Sequence, residues 1–93
     1  MNEYHESRLM DATIHFAEGR YGDAMYVASH VCVSAFLQDD KVTEEDAQKL
    51  ILEASRLAQG KPEHMARLRE LEKEKPMIKN CLESVIDLPE FYD

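Results

Sequence analysis

Hydrophobic positions crowd into residues 19–37, Gly-Arg-Tyr-Gly-Asp-Ala-Met-Tyr-Val-Ala-Ser-His-Val-Cys-Val-Ser-Ala-Phe-Leu, more densely than anywhere else in the chain. At about 100° per residue, Tyr21, Ala24, Met25, Ala28, Val31, Cys32, Ala35 and Phe36 share one broad arc of a helix. Tyr26, Val33 and Leu37 fall together on the opposite side, with His30 beside them. A helix that is apolar on two sides is normally covered on two sides. The segment therefore predicts either the central helix of a small bundle or the helix through which that bundle meets a partner.

The flanking patterns supply the other helices. Residues 2–18 predict a first helix with Leu9, Ala12 and Phe16 as its core stripe, His5 and Thr13 beside it, and Met10, Ile14 and Ala17 widening the arc. Gly19 suits a left-handed C-terminal cap. The interval before Tyr21 is short enough to force an antiparallel αα-hairpin. After the polar loop 38–41, Thr43 reads as an N-cap, Glu44, Glu45 and Asp46 favour the positive helix end, and Val42 with Ala47 fits a hydrophobic staple. Ala47, Leu50, Ile51, Ala54, Leu57 and Ala58 give this third helix one buried face, with Leu50 and Ile51 fully inside; Gly60 ends it.

Pro62 opens a fourth helix, where its missing amide costs nothing. The stripe there is only Met65, Leu68 and Leu71, so this is the helix expected to be most exposed, with Glu72 in solvent and Glu63–Arg67 as a local i, i+4 pair. Pro76 opens a fifth, facing Ile78, Cys81, Leu82, Val85 and Ile86 inward, and Pro89 disfavours helix beyond Leu88. Residues 1–93 thus predict one all-α domain. Its expected form is a compact bundle of four to five helices, two antiparallel hairpins plus a C-terminal helix.

Within the first hairpin, Gly19-Arg20-Tyr21-Gly22-Asp23-Ala24 resembles the turn of a tetratricopeptide hairpin, a family of helical peptide-binding repeats. The likeness is a glycine, an aromatic two positions later and an alanine three after that. Where that family has tryptophan, leucine and glycine in its first helix, this chain has Arg8, Asp11 and Ala12. Helical hairpins of the HEPN type share such a turn, but their ribonucleases need a closely spaced arginine and histidine. Arg20 and His30 are too far apart for that, and no activity carries over.

Charge changes the picture more than composition does. The net charge is −8, and bases outnumber acids only over residues 61–79, six against four. An acidic body repels phosphates, so direct nucleic-acid binding is not expected, while a basic protein partner or simple solubility is. Basic residues at 61–79 alternate with Glu63, Glu70, Glu72 and Glu74, the pattern of a solvated helix face. No segment has the roughly 18 apolar residues of a membrane span, and the acidic start is unlike a secretory leader. A cytoplasmic location is expected. Cys32 and Cys81 sit at apolar helical positions and read as small hydrophobes without metal-type spacing.

Candidate chemistry is sparse. His15 and Glu18 form the i, i+3 pair used in helical di-metal sites, but carboxylates at that spacing on facing helices are missing. The serines lie mid-helix, far from free amides, and no glycine-rich phosphate loop exists. No metal and no cofactor is expected. These readings predict a non-enzymatic, acidic protein-binding module, a regulator, inhibitor or chaperone-like adaptor, with a homodimer also open. Its candidate binding residues are Tyr26, His30, Val33 and Leu37 on the second helix face and Phe91 and Tyr92 in the tail, flanked by Glu90 and Asp93. Two alternatives stay open. One is an inhibitor of the phage or mobile-element type, whose acidic surface imitates nucleic acid and blocks a nucleic-acid-binding protein. The other is a helical metal-binding or enzymatic protein using His15 and Glu18.

Overall fold

The computed structural model describes residues 3–85. They form five helices and no strand: α1 (Glu3–Ala17), α2 (Tyr21–Leu37), α3 (Lys41–Ala58), α4 (Pro62–Glu72) and α5 (Pro76–Val85). The all-α bundle expected from the periodicity is what forms, and α2 is its centre. It packs against each of the other four helices, most extensively against α3 and then α1.

Small side chains make this possible. Ala24, Ala28, Val31 and Ala35 of α2, Ala47, Ile51 and Ala54 of α3, and Ala12 of α1 are completely buried. Alanine seams let helix backbones approach closely, while Met25 and Ile51 fill the space between them. Each of those two contributes roughly 1.5–3 kcal/mol of burial. Burial on α2 extends to Val27 and Ser29, so most of its circumference is covered. Ser29 satisfies its hydroxyl by donating to the Tyr26 carbonyl at 2.6 Å.

The turns on either side of α2 are both Schellman turns. After α1, Gly19 takes φ +81°, its amide donates to the Phe16 carbonyl, and the Arg20 amide donates to the His15 carbonyl at 2.9 Å. After α2 the same pattern recurs with Asp39 at φ 56°, and the Asp40 amide bonds the Ala35 carbonyl at 2.8 Å. Asp40 then caps α3 by accepting from the Thr43 amide. The N-cap is therefore Asp40 and not Thr43, whose hydroxyl donates to Asp40 Oδ2 at 2.6 Å. Val42 is exposed, so no staple with Ala47 forms.

Other expectations shift for similar reasons. Leu50 is only half-buried, Ile51 taking the core position one step round the helix. Phe36, placed by the wheel on the core arc, is 68% exposed, because the flanking α3 and the start of α5 leave a groove at that end of α2 and do not close over it. Glu72 lies in the α4–α5 crevice at 8% exposure rather than in solvent, and burial pushes its carboxyl above the ordinary range. Arg67 pairs with Asp23 of α2 at 3.2 Å instead of with Glu63. Ile86 and the residues after it lie outside the described part.

α4 rests mainly on α2, and the contact is tight at Gly22. A Cβ there would stand 2.4 Å from the His64 carbonyl oxygen, a backbone atom that cannot swing away. Around this point Phe16, Tyr21 and His64 meet edge to face, with ring centroids 5.6 and 5.0 Å apart, and Lys61 covers Tyr21. Gly22→Ala should therefore destabilise by ~1–3 kcal/mol, the cost of overpacking, although alanine favours helix. Ile51→Ala should cost ~2–5 kcal/mol and Leu50→Ala distinctly less. Urea unfolding of the three variants checks this ordering.

Candidate functional site

At its C-terminal end α2 outruns its cover. Leu37 is 67% exposed, and Met77, in the first turn of α5, is 58% exposed. Two grooves meet on Val33, Leu37 and Met77. One, of about 440 Å³, runs between α2 and the start of α5, with Tyr4 and Ile78 in its walls and His30, Ser34, Glu74 and Lys75 at its polar edge. The other, of about 430 Å³, continues past Phe36 to Gln48, Glu44 and the two cysteines. Single exposed apolar residues are ordinary, whereas contiguous ones beside a concavity make a candidate binding surface.

Of the residues expected to bind a partner, Tyr26, His30, Val33 and Leu37 do lie along one line of α2. They are not equally available. Tyr26, His30 and Val33 are half-buried, and Tyr26 stacks edge to face on His30 at 4.7 Å. Partial burial, then Arg8 and Lys75 nearby, lowers the His30 pKa from its ordinary value. Phe91 and Tyr92, with Glu90 and Asp93, lie outside the described residues. Phe36, Tyr4 and Met77 join the surface, although the sequence pattern does not mark them as binding residues. Met77 sits one position past a helix-opening proline, a signal that places it at an end but not against α2.

Beside the first groove a polar chain links three helices. His5, on α1, is completely buried, yet both its nitrogens are bonded: Nδ1 lies 3.2 Å from Asp40 Oδ2 and Nε2 lies 2.9 Å from Ser34 Oγ. The proton positions follow from the partners. Two hydrogen bonds from Thr43 hold the Asp40 carboxyl below its ordinary value. An ionised Asp40 only accepts, so Nδ1 carries the proton, and in the neutral ring Nε2 is left to accept from the Ser34 hydroxyl. Gln38 in turn donates to Ser34 Oγ at 3.3 Å. Sequence reasoning missed this set because its members lie 29 and 35 positions apart.

The His15–Glu18 pair does come together, but around a cation. Arg20 donates to His15 Nδ1 at 2.9 Å and pairs with Glu18, so the groups that would ligate a metal hold a guanidinium. Among the described residues no cluster of three or more histidine, cysteine or acidic side chains is arranged for a metal. Cys32 of α2 and Cys81 of α5 are free thiols lining the second groove. Their interaction lowers the Cys32 pKa and, with burial, raises that of Cys81. No described helix is long and apolar enough to cross a membrane.

Comparison with protein-family models, curated proteins and solved structures finds no match to this chain.

The His30 shift has a definite sign. The folded state holds the ring neutral to lower pH than the unfolded chain does, so the folded state binds fewer protons in that interval. Stability should fall as pH drops below about 6.5 toward the lowered value. His30→Gln should lose less stability than the parent between neutral and mildly acidic pH, measured by urea midpoints across that range.

Proposed function

We propose that this protein is a small acidic protein-binding module that receives the apolar face of a partner's basic amphipathic helix. The observation that carries the reading is the pair of grooves meeting on Val33, Leu37 and Met77 at the open end of α2. A helix seats its i, i+3, i+4 and i+7 side chains in such a channel, and methionine adapts to varied partners. Glu44 and Glu74 on the rims, with a net charge of −8, favour basic flanks on the incoming helix. A regulator, inhibitor or adaptor would act in this way, by occupying or presenting a helix.

Two synthetic helical peptides with the same apolar stripe, one lysine-rich and one glutamate-rich on the polar face, separate the contributions. The basic peptide should bind and the acidic one should not, with affinity falling only partly as salt rises, because the apolar contact persists. Leu37→Asp, at an already exposed position, should leave the melting temperature nearly unchanged and reduce affinity ~10-fold or more, as loss of a central apolar contact does. Isothermal titration reads both. Equal binding of both peptides, or full affinity in Leu37→Asp, would sink the reading. Sedimentation of the protein alone as a dimer that Leu37→Asp dissolves would assign the face to a second copy instead.

A further inference from the structure

Serine hydroxyls inside helices ordinarily return their proton to their own backbone. Ser29, Ser55 and Ser84 do so here, donating to the carbonyls of Tyr26, Leu52 and Cys81. Ser34 does not. Its hydroxyl faces His5 Nε2 at 2.9 Å, and His5 Nδ1 faces the Asp40 carboxylate at 3.2 Å. A hydroxyl, an imidazole whose neutral form turns a lone pair toward it and a carboxylate that fixes the tautomer are the three parts of an activated serine, recognised by geometry and not by chain order. Ser34 also lines a groove of about 440 Å³.

We propose that Ser34 is a nucleophile that accepts an acyl group from an apolar ester, with His5 as its general base and Asp40 as the residue that positions His5. The inference goes beyond the docking of a helix and does not depend on it. Ser34 Oγ forms a bond to the ester carbonyl carbon while its proton passes to His5 Nε2. The tetrahedral oxyanion collapses, the bond to the leaving oxygen breaks, and Nε2 returns the proton to the departing alcohol. Water then repeats the sequence on acyl-Ser34, releasing a carboxylic acid and restoring the hydroxyl. Water is the only co-reactant. Asp40 stays ionised throughout and faces the imidazolium.

The groove defines the substrate class. Tyr4, Val33, Leu37, Met77 and Ile78 make its walls apolar, suited to a short or medium acyl chain. Lys75 and Met77, at the start of α5, border the same space, and the Met77 amide makes no backbone hydrogen bond among the described residues. They are the available donors for the developing oxyanion. His5 is fully buried behind Ser34, with its Nε2 2.9 Å from Oγ.

The full-length protein is treated with an alkyl fluorophosphonate and the modified peptide identified by mass spectrometry; turnover is followed with p-nitrophenyl butyrate. One label on Ser34 is expected. Ser34→Ala should lose both the label and the turnover while staying folded by circular dichroism, although it melts below the parent because the buried His5 Nε2 loses its partner. His5→Gln should slow labelling by ~10²–10⁴-fold, the usual worth of a general base. Asp40→Asn keeps an oxygen for the α3 cap, so it should stay folded, yet slow labelling ~10-fold or more and displace its pH profile, because the wrong His5 tautomer is then favoured. A folded parent that takes no label, a label on another residue, or turnover that survives in Ser34→Ala would each overturn the proposal. None of these results bears on peptide binding at Leu37, so the two readings fail separately.

Discussion

One constraint runs through the whole structure: α2 is too apolar to stand at a surface and must be enclosed by the rest of the chain. Its stripe of small residues solves the geometric side of that problem. Ala24 and Ala28, clustered with Ala47 and Ala54, let α3 lie close alongside, and Ala12 does the same for α1. The remaining circumference falls to α4 and α5, which are short. Short helices cannot cover a long one to its end. Phe36 and Leu37 stay outside because α5 begins at Pro76 beside them, and the grooves are the consequence.

The two ends of α2 are therefore unlike. At its start, Phe16, Tyr21 and His64 interlock, Lys61 lies over Tyr21, and Arg67 reaches back to Asp23. The closeness at Gly22 shows how little space is left there. At its far end the side chains are large, apolar and exposed. Stability concentrates where the packing is tight, and binding surfaces are drawn from regions that packing leaves unfinished.

Asp40 joins these features. It closes the Schellman turn after α2, caps α3 and accepts from His5 of α1. A single residue with three duties fixes the relative positions of three helices and, through His5, the orientation of Ser34. That explains how a histidine can be wholly buried without loss: each nitrogen has a partner, and among the described residues no buried side-chain polar atom lacks one.

How much of this was legible in the sequence depended on range. Helix number, order and the central role of residues 21–37 followed from 3.6-residue periodicity, from Gly19 and Gly60 as stops and from Pro62 and Pro76 as starts, all local signals of backbone preference. The line Tyr26–His30–Val33–Leu37 was legible too, since one helix fixes its own faces. Which of those faces stayed open was not, because that depends on the lengths and positions of α4 and α5. The same limit hid the burial of Glu72 and the pairing of Arg67 with Asp23, whereas the shift of the α3 cap to Asp40 is a local choice between side chains three positions apart. Ser34, His5 and Asp40 carry no mutual signal along the chain. Their meeting is decided by how α1 lies on α2 and how the turn after Leu37 presents a carboxylate. Local chemistry chose the helices; the packing of one enclosed helix against four unequal neighbours chose the site.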